Sequence, residues 1–235
     1  MSGKLTYSGE DGPGRRGCGP LIAPLSESMR PLRQQVFERV RASGLMPRVQ
    51  VATELGVSAA SVTPITSELI ELGLLEEVVV PRETETGRGR PPVALGVRAG
   101  AHLVVGMKLS DREHTAVLLD FAGNLIASEA VPREPSASDP ATLLAASEAL
   151  LDRITASAGV SRAAISAVGI GVPGFVDSAS GHVFWSSVLN VRSFDLAQAA
   201  SERLGLPVTV DNDANLVALA ELWFGAGRER ARAGR

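Results

Sequence analysis

RVQVATELGVSAASVTPITSELIELGLLEEVVVPRETETGRGRPP, residues 48–92, is the stretch on which the reading of this chain turns. Val51, Leu55, Val62, Ile65, Leu69 and Leu72 recur at helical intervals, so two short helices can share one buried face. Gly56 stands where the first helix would end in a left-handed residue. Val57 fills the angle between the helices, and Ser58 is a good N-cap for the second. Two helices around a glycine-containing turn form a helix-turn-helix, whose second helix reads the DNA major groove. Gly73 stops that helix. Residues 74–80 then read as a strand and 93–97 as its antiparallel partner. The loop between them carries Arg82, Arg88 and Arg90 beside glycines, as a wing touching phosphates and the narrow minor groove would. The stretch is therefore expected to be a winged helix-turn-helix. Ser58, Ser61 and Thr63 open its reading helix, and Arg88 and Arg90 serve its wing.

Pro64 opposes part of this scheme. Inside a helix capped by Ser58 it would cost about 3 kcal/mol. Either the helix bends there, or Thr63 is the cap and Pro64 the first helical residue, where proline is tolerated. An ordinary helical hairpin is the plainer alternative for the pair.

The 235 residues allow two modest domains, and a hydrophobic fraction of 45% suits globular structure. No apolar run is long enough to span a membrane. No apolar core precedes a small-residue cleavage site near the start. The single cysteine, Cys18, excludes an internal disulfide and fits a reducing compartment. These features predict a cytoplasmic protein with no membrane partner. The net charge of −3 looks wrong for a DNA binder, but residues 1–98 hold 12 Lys and Arg against 11 Asp and Glu, and residues 99–235 hold 11 against 15. The acidic balance belongs to the second half, and local patches must attract phosphate in the first.

Residues 1–24 are rich in Gly, Pro and charge and read as a disordered tail. Leu32, Val36 and Val40 mark a helix over 31–43 that supports the pair above. After a junction at 98–101, strands are expected over 102–110, 114–121 and 125–131, the last two joined by a turn at 122–124. Asp139 with Pro140 opens a helix running to about 158. A buried strand follows over 164–172, then a helix over 193–204 capped by Ser193 or Asp195, a strand over 207–210, and a last helix over 214–224. The tail from 228 reads as loose.

GIGVPGFVD at 169–177 and VDNDANLVALAELWFGAG at 210–227 resemble the ROK family of bacterial sugar kinases and sugar-responsive repressors. Gly89-Arg90-Pro91 is similar to the wing of its repressor branch, so the resemblance covers roughly residues 30–230. It implies an α/β two-domain chain. A winged helix-turn-helix at 25–98 would precede the N-terminal lobe of an actin/sugar-kinase-like (ribonuclease H-like) fold at 99–235. It implies a sequence-specific transcriptional regulator, a repressor answering to a sugar or sugar derivative. The partners implied are operator DNA, a sugar effector and a second copy in a homodimer.

In the family kinases the Asp of the NDAN motif is the catalytic base, and Asp213 holds that place by resemblance. Asn212, Gly174 and Asn190 are implied as further sugar-binding residues. A carboxylate can accept two sugar hydroxyls, and an asparagine both donates and accepts. Plain helix capping is the other explanation for Asn212 and Asp213, and a turn for Asn190. The family kinases also carry an early DxGGT phosphate loop whose backbone amides cradle phosphate. Residues 106–112, GMKLSDR, depart from it. A base without a positioned phosphate does not transfer a phosphoryl group, so no catalytic residue and no enzyme activity are expected. A kinase with an appended DNA-binding domain is the alternative. The resemblance implies a second lobe bearing a cysteine-rich zinc motif, which 99–235 lacks. The sequence is therefore expected to be a fragment, without metal or cofactor of its own.

Overall fold

The computed structural model describes residues 17–20, 30–80, 93–134 and 136–230. Its first helix, α1 (Leu32–Ser43), starts after Pro31 and ends at Gly44, whose φ of 81° suits glycine. Val36 and Val40 point inward from it. A two-residue strand, β1 (Leu45–Met46), leads into α2 (Arg48–Leu55). Gly56, at φ 67°, closes α2 in the left-handed region. Ser58 then caps α3 (Ala59–Glu71), its hydroxyl accepting from the Ser61 N–H at 3.1 Å.

Of the two alternatives for Pro64, a cap at Thr63 is excluded. Thr63 is helical rather than a cap, and its hydroxyl donates to Ala59 O at 2.8 Å. Pro64 lies within α3 and leaves the Ala60 carbonyl without its usual donor. Strands β2 (Leu75–Val79) and β3 (Val93–Val97) complete a three-stranded antiparallel sheet in the order β1-β3-β2. A strand of two residues shows no alternation, so β1 was invisible in the sequence. Val36, Val40, Val51, Val62, Leu69 and Leu95 share one core among these elements.

The second half is built on β4 (Leu103–Leu109), β5 (Glu113–Asp120), β6 (Leu125–Pro132), β7 (Ile165–Val172) and β11 (Val208–Asn212). They form one sheet in the order β11-β7-β4-β5-β6. β4, β7 and β11 are parallel, β5 runs against them, and β6, antiparallel to β5, runs in the sense of β4 again. Alternate residues Val105, Met107, Leu109, Ala116, Leu118, Val168 and Ile170 bury one face under α4 (Pro140–Ala158) and α5 (Leu196–Leu204). Asp139 caps α4 through the Thr142 N–H, with Pro140 as its first residue.

A second small sheet is made of β8 (Phe175–Asp177), β9 (His182–Trp185) and β10 (Phe194–Asp195). It corrects the start expected for α5. Ser193 stands at φ 58°, outside any helix, and Asp195 makes no side-chain cap. Its carboxylate is held by His182 Nδ1 instead. The chain continues into α6 (Asp213–Trp223) and α7 (Gly227–Arg230).

Two segments expected to be loose need correction. Cys18 is buried, at 5% exposure, and its N–H donates to Arg41 O at 3.0 Å. Arg228 donates from its guanidinium to Gly17 O, Gly19 O and Ala42 O. Residues 17–20 and α7 therefore pack together against α1. The remainder of the expected tail, residues 1–16 and 21–24, lies outside the described residues.

Candidate functional site

Parallel strands point their C-terminal ends the same way, and open α/β sheets bind ligands at that edge. Here β4, β7 and β11 bring three segments to one edge. Register pairs Lys108 with Gly171 and Gly171 with Asp211, so these residues form one row across the sheet. Gly171 is the empty position in that row. A Cβ there would overlap Leu216 Cδ1 at 2.8 Å and would stand 3.8 Å from Asp213 Cα. Its absence lets α6 settle onto β7 and lets Lys108 reach Asp213. The two form an ion pair, Nζ to Oδ2 at 3.8 Å, with Lys108 half exposed.

Asn212 works at both ends of its amide. Its Oδ1 accepts from the N–H groups of Ala214 (2.8 Å) and Asn215 (3.3 Å), which caps α6. Its Nδ2 donates to Gly174 O at 2.5 Å. Gly174 stands at φ 130°, and a Cβ on it would collide with the Trp185 carbonyl. The 173–174 turn therefore reaches both α6 and β9 only as glycine. The structure thus brings together Gly174, Asn212 and Asp213.

Asp211, beside them, accepts from Ser178 Oγ at 2.6 Å, Asn215 Nδ2 at 3.1 Å and the Asn212 N–H at 2.6 Å. Desolvation opposes its charge, but these three donors outweigh it and hold the carboxyl below the usual range. Neither Asp211 nor Lys108 was singled out from the sequence. The only signal for Asp211 was its place before Asn212, and Lys108 needed the strand register.

Asn190 joins this group less directly. It is exposed, and its N–H donates to Ser138 O at 2.9 Å. Its loop, 186–193, is tied to the edge by Ser187 Oγ donating to Asp111 Oδ2 (3.0 Å) and Ser186 Oγ donating to Pro173 O (2.5 Å). At the far end His182 Nε2 meets Ser193 Oγ at 2.9 Å while Nδ1 meets Asp195. This Ser–His–Asp order lacks the rest of a nucleophilic site. The Ser193 N–H is spent on Phe184 O, and the Asp195 side chain is 66% exposed, so neither an oxyanion donor there nor exclusion of water is provided. The trio is a clasp on the β9–β10 connection.

On the other half of the molecule, Ser58, Ser61 and Thr63 stand exposed at the first turns of α3. Ser58 Oγ and Ser61 Oγ are 2.9 Å apart. These hydroxyls keep lone pairs free to accept from base edges or water. The neighbouring exposed residues are Ala59, Ala60 and Pro64, so these first turns themselves contribute no cation. Arg88 and Arg90, expected to supply the charge, lie outside the described residues. An open cleft of about 510 Å³ lies behind α3, between Arg48, Glu71, Glu77 and Arg98, far in sequence from the α6 edge.

Among the described residues, no group of three or more His, Cys, Asp or Glu is placed to hold a metal. No helix there is long and apolar enough to cross a membrane.

This chain is similar to known proteins. A model of the ROK family matches residues 104–232. The DNA-binding transcriptional dual regulator NagC of Escherichia coli K12 is 29% identical over 194 residues, covering 83% of this chain and 47% of NagC. A putative xylose repressor of Caldicellulosiruptor sp. is 30% identical over 178 residues, covering 76% of this chain and 44% of that protein. The crystal structure of a ROK family transcriptional regulator, a homologue of the E. coli Mlc protein, superposes with a TM-score of 0.64 at 26% identity. It covers 81% of this chain and 47% of that one. The chain thus spans about half the length of the curated relatives it matches.

Proposed function

Because the chain belongs to the ROK family, we propose that it acts as a sequence-specific DNA-binding transcriptional regulator, a repressor answering to a sugar or sugar derivative, and not as an enzyme. Residues 25–98 form the winged helix-turn-helix in this reading, and 99–235 the first lobe of the ROK fold. The observation that carries it is the order of parts in one chain. A serine-capped helix behind a left-handed glycine turn, with a three-stranded sheet, stands directly ahead of a sheet edge that gathers Gly174, Asn212 and Asp213. Relatives aligned across both parts are named as DNA-binding regulators.

Ser58, Ser61 and Thr63 meet base edges, Arg88 and Arg90 meet phosphate or the minor groove, and the protein works as a cytoplasmic homodimer on a palindromic site. Gly174, Asn190, Asn212 and Asp213 meet sugar hydroxyls. Lys108 supports the non-enzymatic reading, because it pairs the Asp213 carboxylate with an ammonium group where a kinase needs a free base. The departure of residues 106–112 from a phosphate loop supports it too.

The test has two arms on the intact protein. Duplexes selected from a genomic pool are titrated by fluorescence anisotropy at several salt concentrations. Arg88→Ala with Arg90→Ala should weaken binding and reduce the salt slope by about 2. Failure to retain any duplex at low salt would overturn the DNA reading. In the second arm, calorimetry with N-acetyl-D-glucosamine, D-xylose and D-glucose should give a heat that Asp213→Ala abolishes. Equal heats in both proteins would remove Asp213 from the site.

A further inference from the structure

Helix α6 is unusual in burying none of its residues. Among the described residues its contacts lie near its two ends, with Leu216 against Gly171 close to the first. One end is the Asn212 cap with Asp213, at the edge where sugar is proposed to bind. The other lies about 16 Å away, at 1.5 Å per residue, and meets α1.

That second end is built with care. The last carbonyls of a helix have no partner within it and carry its negative dipole end. In α1 the Gly44 N–H donates to Val40 O and Arg41 O, and groups from elsewhere add to it. Cys18 N donates to Arg41 O, and Gly19 N in turn donates to Trp223 O on α6, both at 3.0 Å. One guanidinium, that of Arg228, donates to Ala42 O of α1 at 2.5 Å, to Gly19 O at 3.0 Å and to Gly17 O. The Arg41 guanidinium lies 4.2 Å from the Trp223 ring centroid, and its buried Nε has no hydrogen-bond partner among the described residues. Stacking on the indole is what holds it. Glycine permits the closeness. A Cβ on Gly17 would overlap Ala42 O, and one on Gly123 would meet Cys18 Sγ at 2.9 Å and Phe224 at 3.1 Å. On the other side of α1, Phe37 stacks on Phe121 of the β5–β6 turn at 5.4 Å.

We propose that Arg228 and Trp223 are positioning residues that lock the C-terminal end of α6 to α1 through the 17–20 strap, so that α6 transmits changes at Asn212 and Asp213 to the helices proposed to read DNA. Its regulatory meaning rests on the proposed function; the mechanical lock does not. Ligand closing on the α6 start would tilt a helix that, among the described residues, is held near its two ends. The tilt would reach α1, against which α2 and α3 pack through Val36, Val40, Val51 and Val62.

Amide hydrogen exchange on the full chain tests the lock without any ligand. Arg228→Met keeps the side-chain stem and removes three donations to carbonyls. Exchange should quicken by about 10-fold or more in the C-terminal half of α1 and also at Ala214 and Asn215, at the opposite end of α6. Asn212→Ala should quicken exchange in α1 in return. Changes confined to 17–20 and 223–228 would overturn the proposal. If Arg228→Met loses cooperative unfolding, Trp223→Phe replaces it, since it keeps the backbone bond from Gly19, and the same pattern is required of it.

A second readout concerns transmission. On a duplex bound by the intact protein, Asp213→Ala should change DNA affinity in the wild-type background and not beside Arg228→Met. An equal change in both backgrounds would overturn transmission. Absence of duplex binding by the wild type would remove the proposed function, and exchange alone would then decide the lock.

Discussion

Helices α3 and α6 begin alike and end differently. Each is opened by a side chain that accepts from its own first-turn amides, Ser58 in one and Asn212 in the other. Each has a run of apolar residues behind the cap. Yet α3 buries Val62, Thr66 and Leu69, while α6 leaves Val217, Leu219 and Leu222 exposed at 59%, 45% and 47%. A cap is a local device, satisfied within three residues. Burial needs a partner surface, and among the described residues α3 has α1, α2 and the small sheet while α6 has only the sheet edge and its end contacts. So α3 is placed by packing along its length, and α6 by its termini.

The largest test of this contrast is a pair of truncations. Leu69→Ala should cost about 2–5 kcal/mol in urea unfolding, while Leu222→Ala should stay within about 0.5 kcal/mol. Equal costs would break the comparison. Next comes Pro64→Ala, which restores a donor for Ala60 O inside α3. It should stabilise by about 1–3 kcal/mol, and a loss instead would mean that the ring packs usefully where it stands. The caps differ less. Ser58→Ala should cost about 1 kcal/mol, and Asn212→Ala about 1–2 kcal/mol because the bond to Gly174 O is lost as well. Calorimetric melting of the two variants ranks them.

The smallest effect lies away from both helices, at His114 on β5. Burial pushes this imidazole down from its ordinary value, the Arg133 charge adds to that, and Nδ1 has no hydrogen-bond partner among the described residues. A folded pKa below the unfolded 6.5 favours the neutral ring. Stability is then complete above pH 6.5 and falls as pH drops through the window beneath it. His114→Gln should flatten urea midpoints measured between pH 7 and 5. An unchanged slope would assign the acid sensitivity to other groups.

Most elements were legible because their signals are short-range. Gly56 after Leu55, Ser58 ahead of an apolar period, and Asp139-Pro140 ahead of another each specify a boundary within a few residues. β1 and the β8–β9–β10 sheet were not legible, since strands of two to four residues are too short for alternation to show. Ser193 misled because a serine before an apolar run looks like a cap, and only the cross-strand meeting with His182 turned it aside. Asn212 and Asp213 were visible as a motif, yet their link to Gly174 and Lys108 depends on strand register.

One-dimensional reading sufficed for several helix boundaries, such as Gly56 and Asp139-Pro140, for the apolar faces, and for the succession of two unlike halves. Propensity, capping and period are properties of neighbouring residues, so they survive reading in one dimension. Tertiary structure alone decided that Lys108 pairs with Asp213, that the 17–20 strap is packed rather than loose, and that Arg228 ties α7 to the end of α1, 186 residues earlier in the chain. Those contacts join groups far apart along the chain. Their partners are set by sheet order, by the empty Cβ positions of Gly17, Gly123 and Gly171, and by the carbonyls that a helix end leaves unpaired.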